Sequence, residues 1–174
     1  MTLGSLVHVT GEPRGALKVG VQSIPFGKGQ KYIALRNVQE LERTAIEMTG
    51  VHAFSTKEVS DLGIEKVVEI ALELICPGGK RPLHLSFDID ALDDLEVKST
   101  GTPVPGGLTL REGLTVVEKV RQMGNLVSMD LVEVNPLIGT EEDVKRAANV
   151  SMRLLLSAFG YYRGGVSTKP FPIP

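Results

Sequence analysis

An α/β domain with a mostly parallel sheet is what this sequence predicts. From Lys31 onward, short apolar, β-prone runs alternate with amphipathic helical stretches. A hydrophobic fraction of 42% over 174 residues supplies a core for one domain or slightly more. Pro77-Gly78-Gly79 and a long stretch of Asp, Gly and Pro separate the runs, as connections between regular elements do.

The first thirty residues stand apart. Gly4, Gly11, Gly15, Gly20, Gly27 and Gly29, with Pro13 and Pro25, interrupt every apolar run there. Such spacing permits short strands at Leu6 to Val9 and Leu17 to Val21, or a loose arm. KYIALR (31–36) reads as a buried strand. Glu40 to Met48 sets Leu41, Ala45 and Met48 at helical spacing and stops at Gly50. His52 to Phe54 is a brief strand, and Ser55 with Glu58 forms a capping-box pattern that opens a helical turn. A longer helix from Ile64 to Ile75 turns Val67, Val68, Ala71, Leu72 and Ile75 inward.

PLHLSFDID (82–90) is the next strand, followed by an eighteen-residue stretch rich in Asp, Gly and Pro. Thr109 opens a helix with Leu114, Val117 and Val120 inward. NLVSMDLVEV (125–134) returns to a strand pattern with Val127, Met129 and Leu131 on one face. Glu141 to Phe159 is the last helix, and Pro170, Pro172 and Pro174 close a tail. The chain divides into an irregular segment 1–30, an α/β part 31–165 and a Pro-rich tail 166–174.

Nineteen Lys plus Arg against 21 Asp plus Glu argue against a nucleic-acid polycation and an acidic tail. No apolar run reaches the roughly 18 residues of a membrane span. Cys76 stands alone, which rules out an intramolecular disulfide framework and a four-cysteine zinc site. With no signal-like N-terminus, the expected compartment is the cytoplasm.

In parallel α/β sheets, ligands gather outside the carboxyl ends of the strands. Asp88 and Asp90 sit there, two apart, so an extended backbone points both to one side. Paired carboxylates repel unless a proton or cation intervenes, and oxygen ligands suit Mg, Mn or Ca. The structural alternative is an acidic loop in which they cap backbone N–H groups. Asp93 and Asp94 add negative potential. Glu133 ends the next strand, where a carboxylate can hold a guanidinium in a bidentate grip; the alternative is a helix cap or an ion pair with Arg111. Between them, Thr100 to Thr109 is stiffened by two prolines and three glycines, as a binding loop requires. His84 is expected to be a core histidine bonded to backbone. His52 and His8 are not expected to be metal ligands, and Cys76 is a small apolar helix-end residue.

SFDIDALD, TGTPVPGGLTLREG and LVEVNP, in that order, resemble the arginase branch of the ureohydrolases, and YIALRNV and FSTKEVSDLGIEKV extend the likeness upstream. The resemblance implies a three-layer α/β/α sandwich. It also implies manganese-dependent hydrolysis of L-arginine to L-ornithine and urea by a hydroxide bridging two ions. On that basis Asp88 is a metal-bridging carboxylate and Asp90 a ligand of one ion. Glu133 orients the guanidinium, Thr102 faces the site, and Glu42 lies near the amino-acid end of the substrate. Arg111, Glu112, Glu118 and Arg163 match charges used between subunits, commonly in trimers.

The departures carry equal weight. Gly-Gly-Asp-His and Asp-Ala-His-x-Asp, which bring the family's other metal ligands, are absent, leaving two of the usual six. The proton-shuttling histidine is missing, Gln39 replaces an Asp that binds the substrate α-amino group, and Asp94 replaces a proline. The sequence therefore predicts an incomplete sandwich lacking its N-terminal strands, with negligible activity alone. One alternative is a non-catalytic isoform that binds full-length arginase; another is a different ureohydrolase such as agmatinase. A mitochondrial address is the alternative to the cytoplasm.

Overall fold

The computed structural model describes residues 7–11, 30–38, 40–123, 125–161 and 163, without the side chains of 7–11, 41 and 42. Five strands form one sheet in the order β3 (His52–Ser55), β2 (Gln30–Leu35), β1 (Val7–Gly11), β4 (Leu83–Asp88) and β5 (Leu126–Val132). Strands β2 and β3 pair in parallel, as do β4 and β5. Strand β1 pairs antiparallel with both β2 and β4. Four strands thus run one way, and β1 is the exception at the centre. It matches the first strand permitted within segment 1–30; the second, Leu17 to Val21, lies outside the described residues.

Helix α1 spans Glu40–Thr49, α2 Thr56–Leu62, α3 Ile64–Ile75, α4 Leu110–Gln122 and α5 Glu141–Ala158. Local chemistry sets their starts. Ser55 with Glu58, Thr109 with Glu112, and Thr140 with Asp143 each close a capping box on α2, α4 and α5. Helix α3 ends at Cys76, before a 3-10 turn at Pro77–Gly79.

The main core forms where α3, α4 and α5 meet one face of the sheet. Leu83, Leu85 and Phe87 of β4 pack there with Val67, Val68, Ala71, Leu72 and Ile75 of α3, and with Val116, Val117 and Val120 of α4. Each of these Val, Leu, Ile and Phe side chains contributes about 2 kcal/mol by leaving water. A second cluster of Tyr32, Leu35 and Val51, with Val38 and with Ile46 of α1, covers the opposite face at β2. Helices therefore lie on both faces, unequally. Among the described residues no helix is long and apolar enough to cross a membrane.

One face assignment needs correction. Met129 and Leu131 pack against the main core, but Val127 is 63% exposed. The β4–β5 register passes from Leu83↔Leu126 to His84↔Ser128, so Val127 is the extra residue of a bulge. A bulge breaks the period of two on one strand only, and the sequence of that strand does not announce it.

Candidate functional site

Because β2, β4 and β5 run the same way, their carboxyl ends share one edge, and the candidate residues gather there. Strand β4 ends at Asp88, and Ile89–Ala91 turns sharply. Asp88 Oδ1 accepts from the Asp90 N–H at 3.0 Å, so Asp88 caps this turn as well as facing its neighbour. Asp90 is buried, and its Oδ1 has no hydrogen-bond partner among the described residues. Burial, then the charge of Asp90, with Glu133 contributing less, pushes the Asp88 carboxyl up to about 8. Crowded acids of this kind attract a proton or a cation.

Glu133 follows β5 with φ +62°, a left-handed backbone that re-aims its side chain. A side chain built on Gly101 would stand 3.5 Å from Glu133 Oε2, so the carboxylate lies against the loop carrying Thr102. That loop is tied to the β5 end: Thr100 bridges to Val134, and the Asn135 N–H donates to Ser99 O at 2.9 Å. Ser99 and Thr100 are fully buried, with hydroxyls unpartnered among the described residues, whereas Thr102 is exposed. Asp88 and Asp90 therefore adjoin, and Glu133 lies near enough for its charge to act on Asp88 and against the loop that carries Thr102. Among the described residues Glu133 forms no ion pair with Arg111. The backbone of Glu42 is in α1; its side chain, like the whole of Gln39, lies outside the described residues.

Two residues acquire roles that their letters did not give them. Asp93 Oδ2 accepts from the Gly106 and Gly107 N–H groups at 2.7 and 3.1 Å, and its Oδ1 accepts from Leu95 N at 3.0 Å. These bonds hold its carboxyl below its ordinary value, the Leu95 bond most strongly. Asp93 is thus a loop clamp. Arg36, just past β2, is buried and donates to the carbonyl oxygens of Asp90, Ala91, Leu92 and Val104. The signal available in the sequence was a cation ending a buried strand on the same edge as the acids.

Other expectations change. His84 pairs with side chains rather than backbone: Nδ1 is 2.8 Å from Ser128 Oγ and Nε2 is 3.3 Å from Asp130 Oδ2. It sits near the start of β4, away from Asp88. His52 is exposed, and the side chain of His8 lies outside the described residues. Cys76 is buried, and its Sγ accepts from the Arg81 N–H at 2.9 Å. Of the charges matched to subunit contacts, Glu118 and Arg163 pair within the chain through two contacts of 2.7 Å. Glu112 is engaged in its capping box. Intramolecular bonds already occupy these groups.

The arginase family profile matches residues 25–160. Arginase-1 of Rattus norvegicus is 46% identical over 135 residues, covering 77% of this chain and 42% of that protein. The arginase of Bacillus caldovelox superposes with a TM-score of 0.69 at 31% identity, over 77% of this chain and 44% of that one. The Entamoeba histolytica arginase in complex with L-ornithine gives a TM-score of 0.64 at 31% identity, over 75% of this chain and 42% of that one. The chain spans less than half the length of these relatives. By the profile match and by the order of the strand-end motifs, the chain belongs to the arginase family.

Proposed function

We propose that this chain carries the substrate-side half of an arginase-type site, specific for a guanidinium compound, and has negligible activity by itself. The carrying observation is the adjoining pair Asp88 and Asp90, with Glu133 near enough to act on Asp88 by its charge; burial, then that repulsion, holds Asp88 up to about 8. Glu133 is the acceptor for a substrate guanidinium, since a planar cation with paired N–H donors matches a carboxylate. Thr102 on the adjoining loop and Glu42 on α1 complete the substrate contacts in this reading.

Manganese is the metal implied by the family, in whose intact enzymes it supplies the hydroxide for hydrolysis of L-arginine to L-ornithine and urea. The donor chemistry of Asp88 and Asp90 suits a hard cation, and Asp90 Oδ1, unpartnered among the described residues, offers a ligand position. The donor count does not suit a metal pair. Among the described residues no group of three His, Cys, Asp or Glu is placed to hold a metal. The residues present therefore do not fit the binuclear cluster, and no hydrolytic step is assigned to this chain.

Association with itself as a trimer, or with a full-length arginase, belongs to the same proposal, as does a cytoplasmic location. A urea-release assay on the pure 174-residue chain with L-arginine and added manganese tests it. The expected result is no urea above the blank. Release at ordinary enzyme rates overturns the reading, and co-purification with a full-length arginase supports the association.

A further inference from the structure

We propose that Arg36 is a positioning residue that fixes the Asp88–Asp90 turn and the Thr102 loop relative to each other; this rests on the substrate-side reading above. Its guanidinium makes five hydrogen bonds, all to backbone carbonyls. Nη2 donates to Asp90 O at 2.6 Å, to Leu92 O at 3.1 Å and to Val104 O at 2.9 Å. Nη1 donates to Ala91 O at 3.4 Å, and Nε to Val104 O at 3.3 Å. One planar fork thus spans two loops whose residues are more than ten positions apart in sequence.

A buried cation without enough partners would be costly, and here carbonyl dipoles supply them. The surrounding acids, Asp90 foremost, add a favourable field. Only arginine has the rigid set of donors this needs. A lysine ammonium keeps the charge but has no counterpart of Nη1 and Nε, so the bond to Ala91 O and the second bond to Val104 O are lost, and the planar fork with them. Asp90 belongs to the turn that Arg36 grips, and Thr102 lies two residues before Val104. Carboxylate and substrate loop are therefore set by one side chain that belongs to neither.

Hydrogen exchange with mass spectrometry on the whole chain tests this, using Arg36→Lys, Arg36→Met and Val120→Ala. Val120 is buried in α4 and serves as a core-cavity control. Peptides spanning 91–97 and 104–109 are expected to exchange roughly tenfold faster in both Arg36 variants, relative to α3 peptides. Val120→Ala should speed loops and core alike and leave that ratio unchanged. Wild-type protection of both loops in Arg36→Lys overturns the role of the fork, and loosening of one loop alone overturns the coupling.

Binding of L-arginine, read by saturation-transfer NMR, adds a second measurement. Binding by the wild type that is lost in Arg36→Lys supports positioning of the substrate side, and equal binding by both overturns it. No binding by the wild type removes the substrate reading instead, and the exchange ratio then decides the role of Arg36.

Discussion

Strands β4 and β5 are neighbours in one sheet, yet they are supported on opposite plans. Leu83, Leu85 and Phe87 of β4 are fully buried, and the segment that follows is clamped by Arg36, Asp93 and Glu96. Strand β5 leaves Val127 and Val132 exposed, and α5 beside it exposes Met152, Leu155 and Leu156. The difference locates rigidity. Asp88 and Asp90 rest on a packed strand and a cross-linked loop, whereas Glu133 is reached through a thinly covered strand and a left-handed residue. Carboxylates meant to stay close despite repulsion need the first kind of support.

The largest effect expected from this comparison is at Gly107. A methyl group there would lie 2.5 Å from Asp93 N and from Leu92 C, which are backbone atoms that cannot swing aside. Gly107→Ala should cost roughly 3 kcal/mol in urea unfolding. Gly106→Ala meets no atom within 4 Å and carries only its left-handed φ of +80°, so about 1 kcal/mol is expected. Equal losses at the two positions would mean that the close approach of the 92–93 and 107 backbones is not a source of stability.

Two aspartates of the same segment should respond in opposite directions. The Asp88 carboxyl, raised to about 8, binds its proton more tightly in the folded chain than in the unfolded one, where its value is about 4. Its contribution to stability is therefore full below about pH 4 and lost as pH rises through about 8. Asp88→Asn should stabilise the chain at pH 9, on the order of 2 kcal/mol, and much less at pH 5. Asp93 lies below its ordinary value, so its contribution is present at neutral pH and fades as pH falls through that lowered value. Asp93→Asn should cost about 1 to 2 kcal/mol at pH 7 and nearly nothing in strong acid. Parallel pH profiles for the two variants would contradict this division.

Val127 supplies the matching test on β5. Exposed on its bulge, it should accept Val127→Thr with a change of no more than about 0.5 kcal/mol. A loss of several times that size would mean the residue is covered in solution.

Much of the architecture was legible in the sequence because the signals are local. The Ser55–Glu58 capping pair placed the start of α2, helical spacing placed α3 and the start of α4 within a residue or two, and acids at strand ends pointed to the candidate edge. The remaining features depend on long-range partners. Nothing in Val7–Gly11 states that it will lie antiparallel between β2 and β4, since that choice depends on strands far along the chain. The partners of Arg36 are 54 to 68 positions away, so its role cannot be read from YIALR. The bulge at Val127 follows from how β5 fits β4, not from its own letters.

The smallest effect is expected at Ala34, and its size comes from offsetting contributions. Ala34 is fully buried with φ +67°, at the irregularity between Ile33 and Leu35 where β2 bends toward Arg36. A left-handed conformation costs an L-residue about 1 to 2 kcal/mol, which Ala34→Gly would relieve. Against this stand the lost burial of one methyl, about 0.8 kcal/mol, and the greater freedom of glycine in the unfolded chain, about 0.4 to 1 kcal/mol. The contributions nearly cancel, so Ala34→Gly should change stability by less than about 0.5 kcal/mol. Without the strain the same substitution would cost about 1.5 kcal/mol. A urea midpoint indistinguishable from wild type would therefore show that the irregularity of β2 at Ala34 stores strain, and a full loss would place that strain elsewhere.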